Sequence, residues 1–253
     1  MNLLEKYGVV PTDASVLLHN GNNEVGTEEF FARSAEILEP AGEIVTSEVI
    51  PNLEQHYGRW HPTGFMVYPL GEHPELGSLR LHVWPDGLRK RDINWDKRKI
   101  GDIYDGDIHN HGWNISSLAI AGFYSDNFYE IETLPGRNVV DHEVASKGLF
   151  RVFEVSYAGD NPEALTTDGT TVRAHLDEQR IVHAGELHEI EAGPFHAPTV
   201  PNDELGATLV FSSHRIIPTG PQVLIAGSLG PIVGNRQDIS EEEKILAKKQ
   251  IKS

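Results

Sequence analysis

The strongest constraint on this chain is its punctuation. Short apolar or alternating runs follow one another at 64–68, 78–84, 107–110, 116–123, 127–132, 149–157, 171–175, 179–183, 187–190 and 207–217. Each is cut off by Gly, Pro, Asn or Asp, residues that end strands and build turns. The 24 glycines and 15 prolines are spread along the chain, which suits many short strands and disfavours long helices. Strand, turn, strand at this cadence predicts an all-β antiparallel sandwich or barrel with a few peripheral helices. No internal repeat and no low-complexity run interrupts it.

Helical signals lie near the two ends. Residues 27–38 combine an N-cap threonine, acids in the first turn and apolar residues at helical spacing, and the pattern is expected to stop before Pro40. Ser240-Glu241-Glu242-Glu243 forms a capping box that opens a second helix through about Lys249, acids first and lysines last. The 253 residues suit one large domain or two small ones, and either buries a full core. With 21 basic against 38 acidic residues the net charge is −17, which repels phosphate backbones and anionic lipid heads. No nucleic-acid or membrane role is therefore expected. The exception would be the basic residues Arg89-Lys90-Arg91 and Lys97-Arg98-Lys99 around Trp95, which read as a solvated surface loop or, less in keeping with the charge, a single-strand nucleic-acid loop. Without cysteine the chain has no disulfide, no thiolate metal site and no cysteine nucleophile. Residues 1–7 have no basic stretch leading into an apolar run, and the apolar stretch 223–233 is short and broken by Gly and Pro. The expectation is a cytoplasmic protein.

The chemistry points to His109-Asn110-His111. In a strand, residues two apart share a face, so two imidazoles on one face can reach one metal ion. Imidazole suits Fe, Zn, Cu and Ni alike. Taken alone the pair is a weak signal, because a chain with 13 histidines places such a pair on a surface strand by chance. Downstream, Gly185-Glu186-Leu187-His188-Glu189-Ile190-Glu191-Ala192-Gly193-Pro194-Phe195-His196 supplies a third candidate ligand. Here the chain resembles the cupin superfamily. Its second motif has a Gly, five residues, Pro, one residue, Gly, two residues and His; this chain matches at Gly185, Gly193 and His196, with Glu191 in place of the Pro. Its first motif is His-x-His with a later Glu and Gly; this chain has His109, His111 and Gly122, while positions 114–116 are Asn, Ile and Ser. The resemblance is thus to the three-histidine branch. It implies a cupin-type jelly-roll barrel over 64–217, with the metal held by His109, His111 and His196. An N-terminal extension, 1–63, would place one helix on the barrel, and a C-terminal extension, 218–253, would end in another.

Within that branch the chain is similar to the thiol dioxygenases, of which cysteine dioxygenase is the type. Residues 81–87, Leu-His-Val-Trp-Pro-Asp-Gly, resemble the strand end before the metal strand. Ile108-His109-Asn110-His111 resembles Ile-His-Asp-His, 187–190 resembles Leu-His-Arg-Val, and Ser212-Ser213-His214-Arg215-Ile216 resembles the Ser-x-His-x-Tyr triad. Ile216 replaces the triad's tyrosine and Ser116 replaces the cysteine of mammalian members. The family's carboxylate-binding arginine has no counterpart in 64–68, although Arg59 and Arg80 lie nearby. The resemblance implies an Fe(II), O₂-dependent oxygenase acting on a small polar metal-chelating molecule, and by analogy a homodimer. Three imidazoles leave coordination positions open for substrate and O₂. The same set around Zn²⁺ would activate water, and Zn, Ni or Mn would support an isomerase, lyase or hydrolase without O₂. A cupin without metal, serving as a binding or structural protein, is a third reading.

Further residues carry two readings each. Asp107, in phase with His109 and His111, is a fourth ligand, an orienting group, or a residue that opens the strand and pairs with a backbone amide. His214 and Ser212 form a proton shuttle beside the metal, or His214 is a satisfied core group. Arg80 pairs with a substrate carboxylate if it points inward and is a surface charge if outward. Trp113, Tyr124, Tyr129 and Phe195 line the pocket mouth or fill the core. His82 and His188 are read as structural. No phosphate-binding loop and no nucleophile elbow is present.

Overall fold

The computed structural model describes residues 25–88, 99–100, 103–104, 107–134, 148–156, 163–217, 220–226, 232–234 and 237–252. The N-terminal helix α1 (Thr27–Ile44) runs into a π-helical turn (Val45–Val49) and a 3₁₀ turn (Ile50–Gln55). Three strands follow: β1 (Arg59–Trp60), β2 (Met66–His73) and β3 (Gly77–Trp84). A separate two-stranded ribbon comprises β4 (Lys99–Ile100) and β5 (Ile103–Tyr104). The long β6 (Ile115–Thr133) precedes β7 (Phe150–Ser156), β8 (Glu163–Thr166), β9 (Thr171–His183), β10 (Leu187–Ile190), β11 (Phe195–Thr199) and β12 (Gly206–Ser212). Short strands β13 (Gln222–Ile225) and β14 (Ile232–Gly234) lead to the C-terminal helix α2 (Glu241–Ile251).

All strands except β4 and β5 join one antiparallel sheet, in the order β1-β2-β3-β12-β6-β9-β7-β8-β14, with β10 and β11 on β6 and β13 on β7. The mostly antiparallel β architecture with helices outside it matches the expected class. The pairing path itself is open, with β1 and β14 at its ends. The sheet also reaches past the expected barrel limits of 64 and 217, through β1 on one side and β13 and β14 on the other. Most of the basic cluster at 89–99 lies outside the described residues, and no helix among those described is long and apolar enough to cross a membrane.

Strand β6 organises the sheet. Its first half pairs with β12 on one edge and β10 on the other, and its second half with β11 and β9. The sequence predicts two strands here, 116–123 and 127–132. The observed strand runs through. The change of partners falls at Gly122, whose φ of 62° suits glycine, and where a Cβ would sit 1.8 Å from the Leu205 carbonyl oxygen.

Alternation along β3 and β12 explains where core and cavity lie. Leu79, Leu81 and Val83 on β3 and Ala207, Leu209 and Phe211 on β12 point to one face, where Phe30, Leu38, Ala41 and Val45 cover them. Each large apolar side chain buried there contributes roughly 1.5–3 kcal/mol. Arg80, His82, Trp84, Thr208, Val210 and Ser212 point to the other face and line a cavity. Strand β12 is buried along its whole length because both of its faces are covered.

Several expected boundaries move. Helix α1 carries Pro40 in its interior instead of stopping before it, and Gly26, not Thr27, is its N-cap. Proline removes one helical hydrogen bond. Burial of Leu38, Ala41 and Gly42 on the sheet face holds the helix together past it. Helix α2 has the expected capping box, with both reciprocal bonds between Ser240 and Glu243. The run expected at 207–217 ends at Ser212, and β11 is unforeseen because Pro194 precedes it and Pro198 lies within it.

Candidate metal centre

Where the sequence predicts a strand at 107–110, the chain makes isolated bridges at His109 alone. His109 is bridged to His196 of β11 and to Val223 of β13. Its N–H donates to the His196 carbonyl at 2.9 Å, and its carbonyl accepts from His196 N at 2.8 Å. The His111 carbonyl accepts from Gly193 N at 3.0 Å. Backbone pairing therefore brings the two distant motifs side by side. Asn114, 1 % exposed, pins the following turn: its amide donates to Thr27 Oγ1 and its carbonyl oxygen accepts from Ala192 N.

The three side chains converge. Ring centroids lie 4.8 Å apart for His109 and His111, 4.9 Å for His109 and His196, and 5.1 Å for His111 and His196. One nitrogen from each falls within 4.8 Å of the others, close enough to share one ion. Two rings are held in the tautomer this requires. His109 Nδ1 donates to the Asp107 carbonyl oxygen at 2.8 Å, and His196 Nδ1 donates to Asp126 Oδ1 at 2.8 Å. Both therefore carry their lone pair on Nε2. His196 Nε2 is buried with no hydrogen-bond partner. An orphaned buried acceptor is rare, and a cation would satisfy it. The donor set fits a divalent transition metal.

Electrostatics agree. Burial, reinforced by the neighbouring His196, depresses the His109 pKa to about 4, and burial holds His111 well below its ordinary value. Neutral imidazoles are the form that ligates. Asp126 is fully buried, which by itself raises its pKa, but the adjoining His196 and His188, both hydrogen-bonded to it, hold it far below the usual carboxylate range. His188 Nε2 donates to Asp126 Oδ2 at 2.9 Å.

A cavity of about 310 Å³ opens in front of the three imidazoles. Trp113 lines it and lies 5.2 Å from the His111 ring. Tyr124 lines it too, stacked on Trp84 with centroids 6.1 Å apart. The Tyr124 hydroxyl bonds Ser117 Oγ at 2.9 Å, and Ser117 donates to the His188 carbonyl. Burial raises the Tyr124 pKa well above its ordinary value, so the phenol stays protonated. Arg80 and Ser212 line the cavity wall.

His214 does not join them. It follows the end of β12, is exposed, and its Nε2 donates to the Pro74 carbonyl at 2.9 Å; neither residue lines the cavity. Tyr129 and Phe195 pack on the cluster around Ile108 and Leu224 instead of lining the cavity. Asp107 orients His109 through its backbone carbonyl.

Three contributors escape the motif reading. Asp126 was legible as a charged residue between Tyr124 and Phe128 on one face of an apolar strand. Arg59 and His61, both lining the cavity, lie N-terminal to the stretch that carries the motifs. His61 stacks on Phe65 at 4.3 Å and lies 6.4 Å from His109.

The three-histidine cluster on an antiparallel β framework fits a cupin-like fold. No protein-family model matches the chain, and no curated protein matches it in sequence.

Proposed function

We propose that the protein is a metal-dependent oxygenase of the cupin type, similar in its chemistry to the thiol dioxygenases, holding Fe(II) on His109, His111 and His196. The observation that carries this reading is the buried, unpartnered His196 Nε2 facing two further imidazoles across a cavity. When bound, Fe(II) would supply O₂ activation at positions that three neutral ligands leave open. The chain's own part is to fix the ligands and shape the space. Asp126 and the Asp107 carbonyl hold two imidazoles in the metal-binding tautomer. Trp84, Trp113, Phe65 and Ile190 make much of the remaining wall apolar. A ligand set of three histidines without a carboxylate among the described residues also suits zinc. A hydrolase, lyase or isomerase with Zn, Ni or Mn is the second reading.

The test is elemental analysis of protein purified without chelators or affinity metals, followed by O₂ uptake by anaerobically iron-loaded protein mixed with a panel of thiols, amino acids, keto acids and organic acids. The expected result is close to one iron per chain, lost in His196→Ala, and O₂ consumption that depends on both iron and substrate. Zinc, nickel or manganese without O₂ uptake would favour the second reading. A chain that retains no metal would overturn both.

A further inference from the structure

The rest of the cavity speaks to what it takes. In the sheet, Arg59 of β1 stands opposite Val67, Val67 opposite His82, and His82 opposite Thr208, so the four share a rank across the cavity face. Arg80 is two residues along β3 from His82 and on the same face. With strands ~4.8 Å apart and same-face neighbours ~7 Å apart, the Cα atoms of the two arginines are ~12 Å apart, and two extended side chains span that gap. Arg59 Nε is buried and makes no hydrogen bond, a donor turned inward without an acceptor. Among the described residues that line the cavity, Asp126 is the one carboxylate, and both of its oxygens already accept from His188 and His196. The other walls are flat and apolar: Phe65 lies 4.6 Å from Trp84, which stacks on Tyr124. At about 310 Å³ the space lies at the small end of the range for small-molecule sites.

We propose that the cavity takes an amphipathic organic acid, its oxyanion group held by Arg59 and Arg80 and its flat apolar body set against Phe65, Trp84 and Tyr124. Guanidinium groups bind such oxyanions through charge-assisted, often paired hydrogen bonds. Aromatic walls supply non-directional burial for the body. The substrate is therefore more apolar than the small polar molecule that the sequence resemblance implies. This assignment rests on reading the cavity as the substrate chamber of the proposed enzyme.

The experiment is calorimetric titration of the metal-free full chain with three probes: 3-phenylpropionate, its neutral amide 3-phenylpropionamide, and propionate. The aromatic acid is expected to bind at least roughly tenfold more tightly than either of the others. Arg59→Gln and Arg80→Gln are each expected to weaken the acid by roughly 10–100-fold and leave the amide unchanged. Arg173→Gln, an exposed arginine paired with Glu132 outside the cavity, is expected to change nothing. Should either cavity variant fail to fold, the wild-type preference for acid over amide and its weakening in high salt still decide the matter. Equal binding of acid and amide, equal binding of propionate and 3-phenylpropionate, or a preference for the acid that survives both arginine substitutions would overturn the proposal. Because the titration needs no metal, an acid-selective chain that retains no metal would sink the proposed function alone. A metal-retaining chain without acid selectivity would sink this inference alone.

Discussion

Asp126 sets the state of two histidines at once. A carboxylate without solvent is stable only when its oxygens are filled by donors, and here His188 and His196 fill them. In return the carboxylate fixes His196 with its proton on Nδ1 and raises the basicity of the nitrogen facing the cavity. In Asp126→Asn the side chain offers one acceptor oxygen and sets an N–H₂ against a ring N–H. We expect metal affinity to fall by roughly 10–100-fold, measured by competition with a chromophoric chelator. His82 supplies a prediction in pH. Burial, aided by the Arg80 charge, lowers its pKa from 6.5 to about 3. As pH falls below 6.5 the unfolded chain takes up this proton and the folded chain does not until about 3, so the stability that is complete near neutrality drains away across that window. Thermal unfolding of the metal-free protein from pH 7 to pH 3 should show a shallower fall for His82→Gln than for the wild type. Identical slopes would mean that other groups carry the acid sensitivity.

Among the elements, β6 carries the most and was the hardest to read. Its two halves cover the runs 116–123 and 127–132 that the sequence marks as strands. Its middle places a charge inward and a left-handed glycine in line, two features that read as a turn until the partners of Asp126 and the bend at Gly122 are known. Strand β3 was legible because its two faces differ so plainly, Leu79, Leu81 and Val83 against Arg80, His82 and Trp84. The His-x-His segment was legible in its chemistry and not in its form, since it is held by single bridges to β11 and β13. Local patterns record which face a side chain takes; they carry little about partners distant in sequence, which is why β11 went unforeseen. Gly122→Ala tests the bend. Its new Cβ would meet the Leu205 carbonyl oxygen at 1.8 Å, a backbone atom with little room to retreat. We expect a loss of about 2–4 kcal/mol in urea unfolding. A change below about 1 kcal/mol would show that β6 bends elsewhere.

At the scale of the molecule, one sheet separates two environments. Helices α1 and α2, with the turns that follow α1, cover one face with apolar side chains, and the opposite face looks into the cavity with arginine, histidine and tryptophan. The covered face gives the framework rigidity, and rigidity lets two backbone bridges hold imidazoles from distant segments in register. Such a preformed site has a thermodynamic consequence. An ion that binds the folded chain and has little affinity for the unfolded one stabilises by an amount set by its concentration relative to Kd, about 2.7 kcal/mol at a hundredfold excess. For a chain of this size that corresponds to a rise in Tm of roughly 5–10 °C, at about 2–4 °C per kcal/mol. We therefore expect saturating Fe(II) under anaerobic conditions, or Zn(II) in air, to raise the Tm of the metal-free protein, and His196→Ala to abolish the rise. His214→Ala should retain it in full, because that ring bonds the Pro74 carbonyl away from the cavity. A metal-dependent rise that survives in His196→Ala would locate the ion somewhere other than among these three histidines, and the proposed centre would fall with it.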